Sequence, residues 1–148
     1  MLGTLTKEEI ENIIMSQSLC RVACSDAKKP YVVPVSYAYD GKYIYFQSKE
    51  GKKIDILRKN PLVCIEIDLM SSMNHWQCIL INGKFEELKA EEAIKAREIL
   101  FNKILTLLTS STIPDIENGK KGNIDDSNRI KPIMCRVLII EKSGRFEK

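Results

Sequence analysis

The sequence predicts a mainly β domain of the α+β class, an antiparallel β-barrel, closed or partly closed, with peripheral helices. Three observations predict it. Six runs rich in Val, Ile, Tyr and Phe read as strands. The helical segments lie outside the run of strands, and Asp40-Gly41 joins two of those runs by the dipeptide that favours a tight hairpin.

Thr6 followed by Glu9 fits a capping box, and Ile10, Ile13 and Ile14 recur at helical spacing, so the chain should open with an amphipathic helix over Lys7 to Ser16. Strands are expected over Leu19 to Cys24, Tyr31 to Tyr39 and Lys42 to Gln47, with the polar stretch Asp26 to Lys29 before Pro30 as the first turn. From Ser48 to Asn60 the pattern changes, since Ile54 and Leu57 stand three apart among charges and Pro61 follows. A helix of about two turns should start near Gly51 and stop before the proline. Leu62 to Leu69 and His75 to Leu88 resume the strand pattern, with Gly83 marking a bend or bulge. Ala90 to Leu108 is the longest helix, and Ala93, Ala96, Leu100, Ile104 and Leu107 form a stripe that closes the core. A long polar connection over 109–132 then leads to a last strand, Met134 to Glu141, and a polar tail over 142–148 that extends beyond the fold.

Composition narrows the function. The chain has 148 residues with a formal charge of +3, 44% hydrophobic and 29% charged, the profile of a single domain, 1–148, that folds without metal or disulfides. A charge of +3 is too weak for bulk nucleic-acid binding, so any basic site is local and no nucleic-acid partner is expected. No apolar run approaches the roughly 18 residues that cross a bilayer, and Met1 to Glu9 lacks a basic start followed by an apolar stretch, so the expectation is a cytoplasmic protein without membrane contact. The odd count of cysteines, Cys20, Cys24, Cys64, Cys78 and Cys135, lies mostly in apolar runs and reads as reduced thiols. On one strand Cys20 and Cys24 would stand about 13 Å apart, too far to share a metal ion.

Three clusters carry possible chemistry. The first is Tyr45-Phe46-Gln47-Ser48-Lys49-Glu50-Gly51-Lys52-Lys53-Ile54-Asp55. A strand ends in a hydroxyl, Gly51 permits an unusual turn, and Lys52 and Lys53 fall in the first turn of a helix, where free N–H groups favour an anion. Helix dipoles favour acids there, so two lysines suggest a bound phosphate that offsets them. The alternative is a solvated helix face balanced by Glu50 and Asp55. The second cluster is Tyr31-Val32-Val33-Pro34-Val35-Ser36-Tyr37, where Pro34 removes a ladder donor and implies an edge strand, a bulge or a flat ligand against exposed backbone. The third, His75-Trp76-Gln77-Cys78 at the head of an apolar strand, holds the sole His and Trp of the chain and reads either as core or as the seal of a pocket or interface. Nothing near His75 in sequence suggests a catalytic triad.

In this order the clusters resemble the pyridoxamine 5'-phosphate oxidase-like flavin-binding split-barrel superfamily, most closely its nitroimidazole-resistance-related branch. The resemblance rests on Pro30 through Tyr37, on Asp40-Gly41 with Tyr43 through Ser48, on Gly51 through Asp55 with Leu57 through Pro61, and on Trp76 through Gly83. It implies an FMN-binding split barrel that forms a homodimer with flavin at the subunit interface. Ser48, Lys52 and Lys53 would then hold the phosphate, with Phe46, Gln47 and Gly51 in the same stretch. Val33, Pro34, Val35 and Ser36 would hold the isoalloxazine ring, and Trp76, Gln77 and Cys78 would come from the other subunit. Relatives in that branch often carry histidine within the stretch that here runs Gln47 to Lys53, and this chain has none there. Serine is common in them where Cys78 stands. The leading expectation is an FMN-dependent oxidoreductase that passes electrons to a small-molecule acceptor. The alternative is a flavin or haem carrier or sensor on the same barrel, and a third is an interaction module using the basic stretch Lys49 to Lys59.

Overall fold

The computed structural model describes residues 1–107 and 132–148. In chain order the elements are β1 (Leu2–Thr4), α1 (Lys7–Ser16), β2 (Leu19–Ser25), β3 (Pro30–Ser36), β4 (Ala38–Tyr39), β5 (Tyr43–Ser48), α2 (Lys52–Lys59), β6 (Leu62–Ser72), β7 (His75–Leu88), α3 (Ala90–Leu107) and β8 (Ile133–Glu147). Apart from Pro132, the long connection expected over 109–132 lies outside the described residues.

All strand pairings are antiparallel, and the order across the sheet is β3-β2-β6-β7-β8-β5-β4, with β1 added along β8. This order forces the sheet to roll. The strands at its two ends, β3 and β4, are separated in sequence by Tyr37 alone, so the chain steps from one edge of the sheet to the other in one residue. Tyr37 is the pivot: its N–H donates to Ser18 O at 2.9 Å and its hydroxyl to Ile14 O at 2.7 Å. The single strand expected over Tyr31 to Tyr39 is therefore two strands. The run of β-branched and aromatic residues continues across the break, so local composition gives no sign of it.

The edges of β3 and β5 come together without forming a ladder, which leaves a barrel split along one seam. Inside it pack Val22, Ile44, Phe46, Ile65, Ile67, Ile79, Ile81 and Val137, with Ile10, Ile13 and Ile14 of α1 on the same core. A second, smaller core lies outside the barrel, where Ala96 and Leu100 of α3 cover Ala38, Tyr45, Leu88 and Met134. Alternation along β5 serves both: Ile44 and Phe46 point inward while Tyr45 points to α3.

Local signals fix several boundaries. Thr6 Oγ1 accepts from Glu9 N at 3.2 Å and starts α1 where the capping pattern puts it. At the hairpin, Asp40 Oδ1 accepts from the N–H groups of Lys42 and Tyr43, and Gly41 takes φ 96°, a left-handed conformation suited to glycine. Gly83 is a site of close approach: an added Cβ would stand 2.5 Å from Leu138 O. There the β7–β8 register shifts so that Ile140 becomes the extra, bulged residue.

Two expectations are corrected. The segment 142–148 is no free tail, because β8 continues to Glu147, pairing with the start of β7 and with β1. β1 itself was not foreseen. Each is a poor strand alone, but each supplies the other's ladder. No helix among the described residues is long and apolar enough to cross a membrane.

Candidate functional site

The seam between β3 and β5 opens into a cavity of about 770 Å³ lined by Pro34, Val35 and Ser36 of β3, Gln47 and Ser48 at the end of β5, Lys49, Lys53 of α2, Leu100 and Ile104 of α3, and Pro132. That volume falls within the range of roughly 300–1,000 Å³ typical of small-molecule sites. β3 is paired on one side only, by β2, so backbone groups along its other edge lie open to a ligand. Pro34, which cannot donate to a ladder, is tolerated there for that reason.

The polar end of the cavity is built by the turn from β5 into α2. Ser48 follows the inward alternation of Ile44 and Phe46 and is buried, its hydroxyl donating to Lys49 O at 2.9 Å. Gly51 caps α2 without any side-chain bond to the first-turn N–H groups, so those donors face outward unclaimed by a capping side chain. Its φ of 166° is extended backbone open to any residue, and a Cβ would meet only Lys49 O at 4.0 Å. The unusual turn that a glycine permits is therefore not taken at Gly51.

Lys53 is half-buried with its Nζ 5.6 Å from the centroid of the Phe46 ring, and burial holds its ammonium below the ordinary lysine pKa. Among the described residues ion pairs engage Arg21, Arg58, Arg136 and Lys142, but none engages Lys53. Glu50, the nearest acid before α2, is taken by Arg58 at 2.8 Å and does not balance the lysines. Among the described residues the cavity lining contains two cations, Lys49 and Lys53, and no carboxylate. A partly desolvated ammonium without an ion-pair partner among the described residues, beside a helix start with no side-chain cap, is an arrangement that suits an anion.

The residues expected to act together separate into three groups, with Cys78 apart from all of them. Pro34, Val35, Ser36, Gln47, Ser48 and Lys53 line the one cavity. Val33, Phe46, Gly51 and Lys52 flank it without lining it: Phe46 lies wholly in the core beneath Lys53, and Lys52 is exposed with its Nζ 5.3 Å from the Tyr31 ring centroid. Trp76 and Gln77 line a different cavity of about 440 Å³ with Leu69, Met70, Ser71, His75, Glu147 and Lys148. Cys78 faces Glu66, its Sγ 3.5 Å from a carboxylate oxygen, and burial followed by that charge pushes its thiol up to about 11. A thiol raised this far is largely protonated near neutral pH. All five cysteines are free thiols, and burial raises Cys20 and Cys135 to about 12. Lys49, Leu100, Ile104 and Pro132 are lining residues that the sequence did not single out for the site. The α3 pair was read as core because a helical apolar stripe looks the same whether it covers a sheet or walls a cavity.

Comparison with known proteins gives this geometry its context. The family model described as pyridoxamine 5'-phosphate oxidase matches residues 6–116. A curated relative, an uncharacterized protein from Rhizobium meliloti, is 34% identical over 88 residues, 60% of this chain, and the match spans 58% of that protein's length. Among solved structures, a FAD-binding protein from Mesorhizobium loti is 26% identical with a TM-score of 0.76, covering 100% of this chain and 99% of that one. A protein from Bacteroides thetaiotaomicron, titled as a candidate 5-nitroimidazole antibiotic resistance protein, is 24% identical with a TM-score of 0.71, covering 99% of this chain and 89% of its own, and at that identity shows the shared fold.

Proposed function

The chain belongs to the pyridoxamine 5'-phosphate oxidase family, and from that premise we propose that it is a flavin-binding oxidoreductase whose cofactor occupies the seam cavity. The observation that carries this reading is Lys53, a half-buried ammonium without a carboxylate partner among the described residues, set beside Ser48 and the uncapped start of α2. Burying a charge without a counterion is unfavourable, and a phosphate group supplies the missing one. The Mesorhizobium loti protein, similar over its whole length, is titled FAD-binding, which supports a flavin.

The flavin proposed for this site is FMN. Of the two lysines in the lining only Lys53 is half-buried, Lys49 being exposed, and Lys52 points to Tyr31, which supports a single phosphate group. The open edge of β3 over Val33 to Ser36 would hold the ring by backbone contacts. Bound flavin supplies the electron chemistry, and the chain's own work is to bind, orient and exclude water. A small molecule takes the electrons. For haem, the seam cavity offers no His, Cys or Met among its described lining residues to serve as an axial ligand.

A homodimer completes the reading. Within one protomer Trp76 and Gln77 line another cavity, so the segment Trp76 to Cys78 would reach a flavin site from a second copy. Leu62, Leu80 and Ile140, 62%, 45% and 64% accessible, are exposed apolar side chains on β6, β7 and β8 that a second copy would cover.

The test is an absorption spectrum of the purified protein between about 350 and 500 nm, before and after incubation with excess FMN or FAD, since the cofactor carries the chemistry. Retained flavin bands, with FMN bound more tightly than FAD, support the proposal. Protein that stays colourless after both incubations overturns it, and a monomer by sedimentation removes the shared site.

A further inference from the structure

We propose that Phe46 is a positioning residue for anion binding: its ring face, in place of a carboxylate, holds the Lys53 ammonium at the cavity and leaves the charge available to a phosphate group. This deepens the flavin reading of the seam cavity and rests on it.

Lys53 Nζ lies 5.6 Å from the Phe46 ring centroid, within the reach of about 6 Å over which a ring face attracts a cation. The ring is a fixed reference. Phe46 is 0% exposed on the inward face of β5, stands opposite Cys135 in the β5–β8 ladder, and meets the Phe85 ring at 6.5 Å between centroids. Ser48 follows two residues later on the same face, about 7 Å along the strand, and lines the cavity together with Lys53. β5 thus sets ring and hydroxyl at one spacing, and the flexible lysine stem takes its place from the ring.

The kind of partner decides what the ammonium can still do. A carboxylate would accept its hydrogen bonds and cancel its charge, so a phosphate would have to displace that acid. A ring face attracts the cation but carries no net charge, so the ammonium keeps its charge for phosphate oxygens. A stem ordered before binding also loses less freedom when the ligand arrives. The other groups around Lys53 do not substitute for the ring. Cys20 and Cys24 of β2 and Cys135 of β8 face it, but burial raises all three thiols and keeps them neutral near pH 7, and Lys49, the second cation of the lining, is exposed.

The experiment titrates the full chain by flavin fluorescence with FMN and with riboflavin, which carries the same ring system without the phosphate. Phe46 is replaced by phenylalanines bearing one, two and three ring fluorines, which nearly keep the shape while withdrawing the negative face stepwise. FMN affinity should fall along the series, by about three- to tenfold at three fluorines, while riboflavin stays within about twofold. Phe46→Leu should weaken FMN at least as much, and its loss of FMN affinity with rising pH should begin at lower pH, because the ammonium has lost a partner that favours its charged form. Phe85→Leu removes core volume beside Phe46 but keeps the ring under Lys53, and should leave FMN within about twofold. An FMN affinity that is flat across the fluorine series overturns the proposal. So does an equal loss of riboflavin, or an equal effect of Phe85→Leu, since either makes Phe46 a packing residue only. Lys53→Gln separates this from the wider reading: if it weakens FMN while the fluorine series does not, the phosphate site stands without Phe46, whereas a parent chain that binds neither flavin removes both.

Discussion

The two ends of α2 hold their cations under opposite conditions. At its C-terminal end Arg58 is exposed and fully provided for: its guanidinium donates to both Glu50 oxygens at 2.8 and 2.9 Å and to Glu87 at 2.8 and 3.1 Å. At its N-terminal end Lys53 is half-buried, holds its charge against burial, and has no carboxylate among the described residues. The helix dipole favours the cation at the C-terminal end and disfavours the one at the start, where Asp55 is the first-turn acid. The chain had acids available, since Glu50 precedes Gly51, yet it spends that acid on the distant arginine. A region left electrostatically incomplete beside a cavity is a binding region, while the complete one is a scaffold.

The strongest way to break this contrast is to complete Lys53's end covalently. Lys53→Glu places a negative charge where the phosphate group is proposed, and flavin affinity measured by fluorescence quenching should fall at least about tenfold, roughly 1.4 kcal/mol. Unchanged affinity in the folded variant would detach the phosphate from α2.

The next test sharpens the contrast through pH. Only the ammonium form of Lys53 attracts an anion, and burial lowers its pKa, so flavin affinity should decline as pH rises and should start to do so below the ordinary lysine value of about 10.4. Stability without ligand runs the other way. The folded chain binds this proton less tightly than the unfolded chain, so the Lys53 contribution to stability rises with pH between its lowered value and the ordinary one. Titrating affinity and thermal stability in parallel should show these opposite slopes, and Lys53→Gln should flatten both. An affinity that is level through this range in the parent chain would show that Lys53 does not carry the anion.

The same contrast explains which parts of the molecule could be read from sequence. Thr6 and Asp40-Gly41 act through their own few neighbours, and each does what its local pattern announces. The lysines of α2 were legible as an anomaly, because a helix start can be recognised from Pro61 and the spacing of Ile54 and Leu57. Their division of labour was not legible, since Lys52 and Lys53 are adjacent in sequence and about 100° apart around the helix, which turns one to Tyr31 and the other to the cavity. Tyr37 as a corner, β1 with the last third of β8, and Ile104 at the cavity all depend on partners more than 12 residues away. No local window contains those partners, so composition around each residue read as continuous strand, polar tail or core.

That angular separation of neighbours predicts a smaller effect at Lys52. Its ammonium is exposed and lies outside the cavity lining, where water and salt screen it over about 8–10 Å. Lys52→Gln should weaken flavin by no more than about threefold, and the loss should shrink as salt is raised. An effect equal to that of Lys53→Gln would mean that both lysines hold the phosphate and would move the site to the mouth of the helix.

The smallest effect should come from the paired end. Arg58→Ala removes no group from the cavity, but it releases Glu50, whose carboxylate then moves freely just ahead of the α2 start. A mobile acid there competes weakly with the phosphate, and full exposure screens it, so flavin affinity should fall by less than about twofold at physiological salt. Because Arg58 also holds Glu87, the cause is isolated by the double variant: Glu50→Gln in the Arg58→Ala background should restore the parent affinity, whereas Glu87→Gln in that background should not. Restoration by the Glu87 change alone would mean that α2 is positioned by its C-terminal clamp on β7, and that the incompleteness at Lys53 is maintained by geometry instead of by the withdrawal of Glu50.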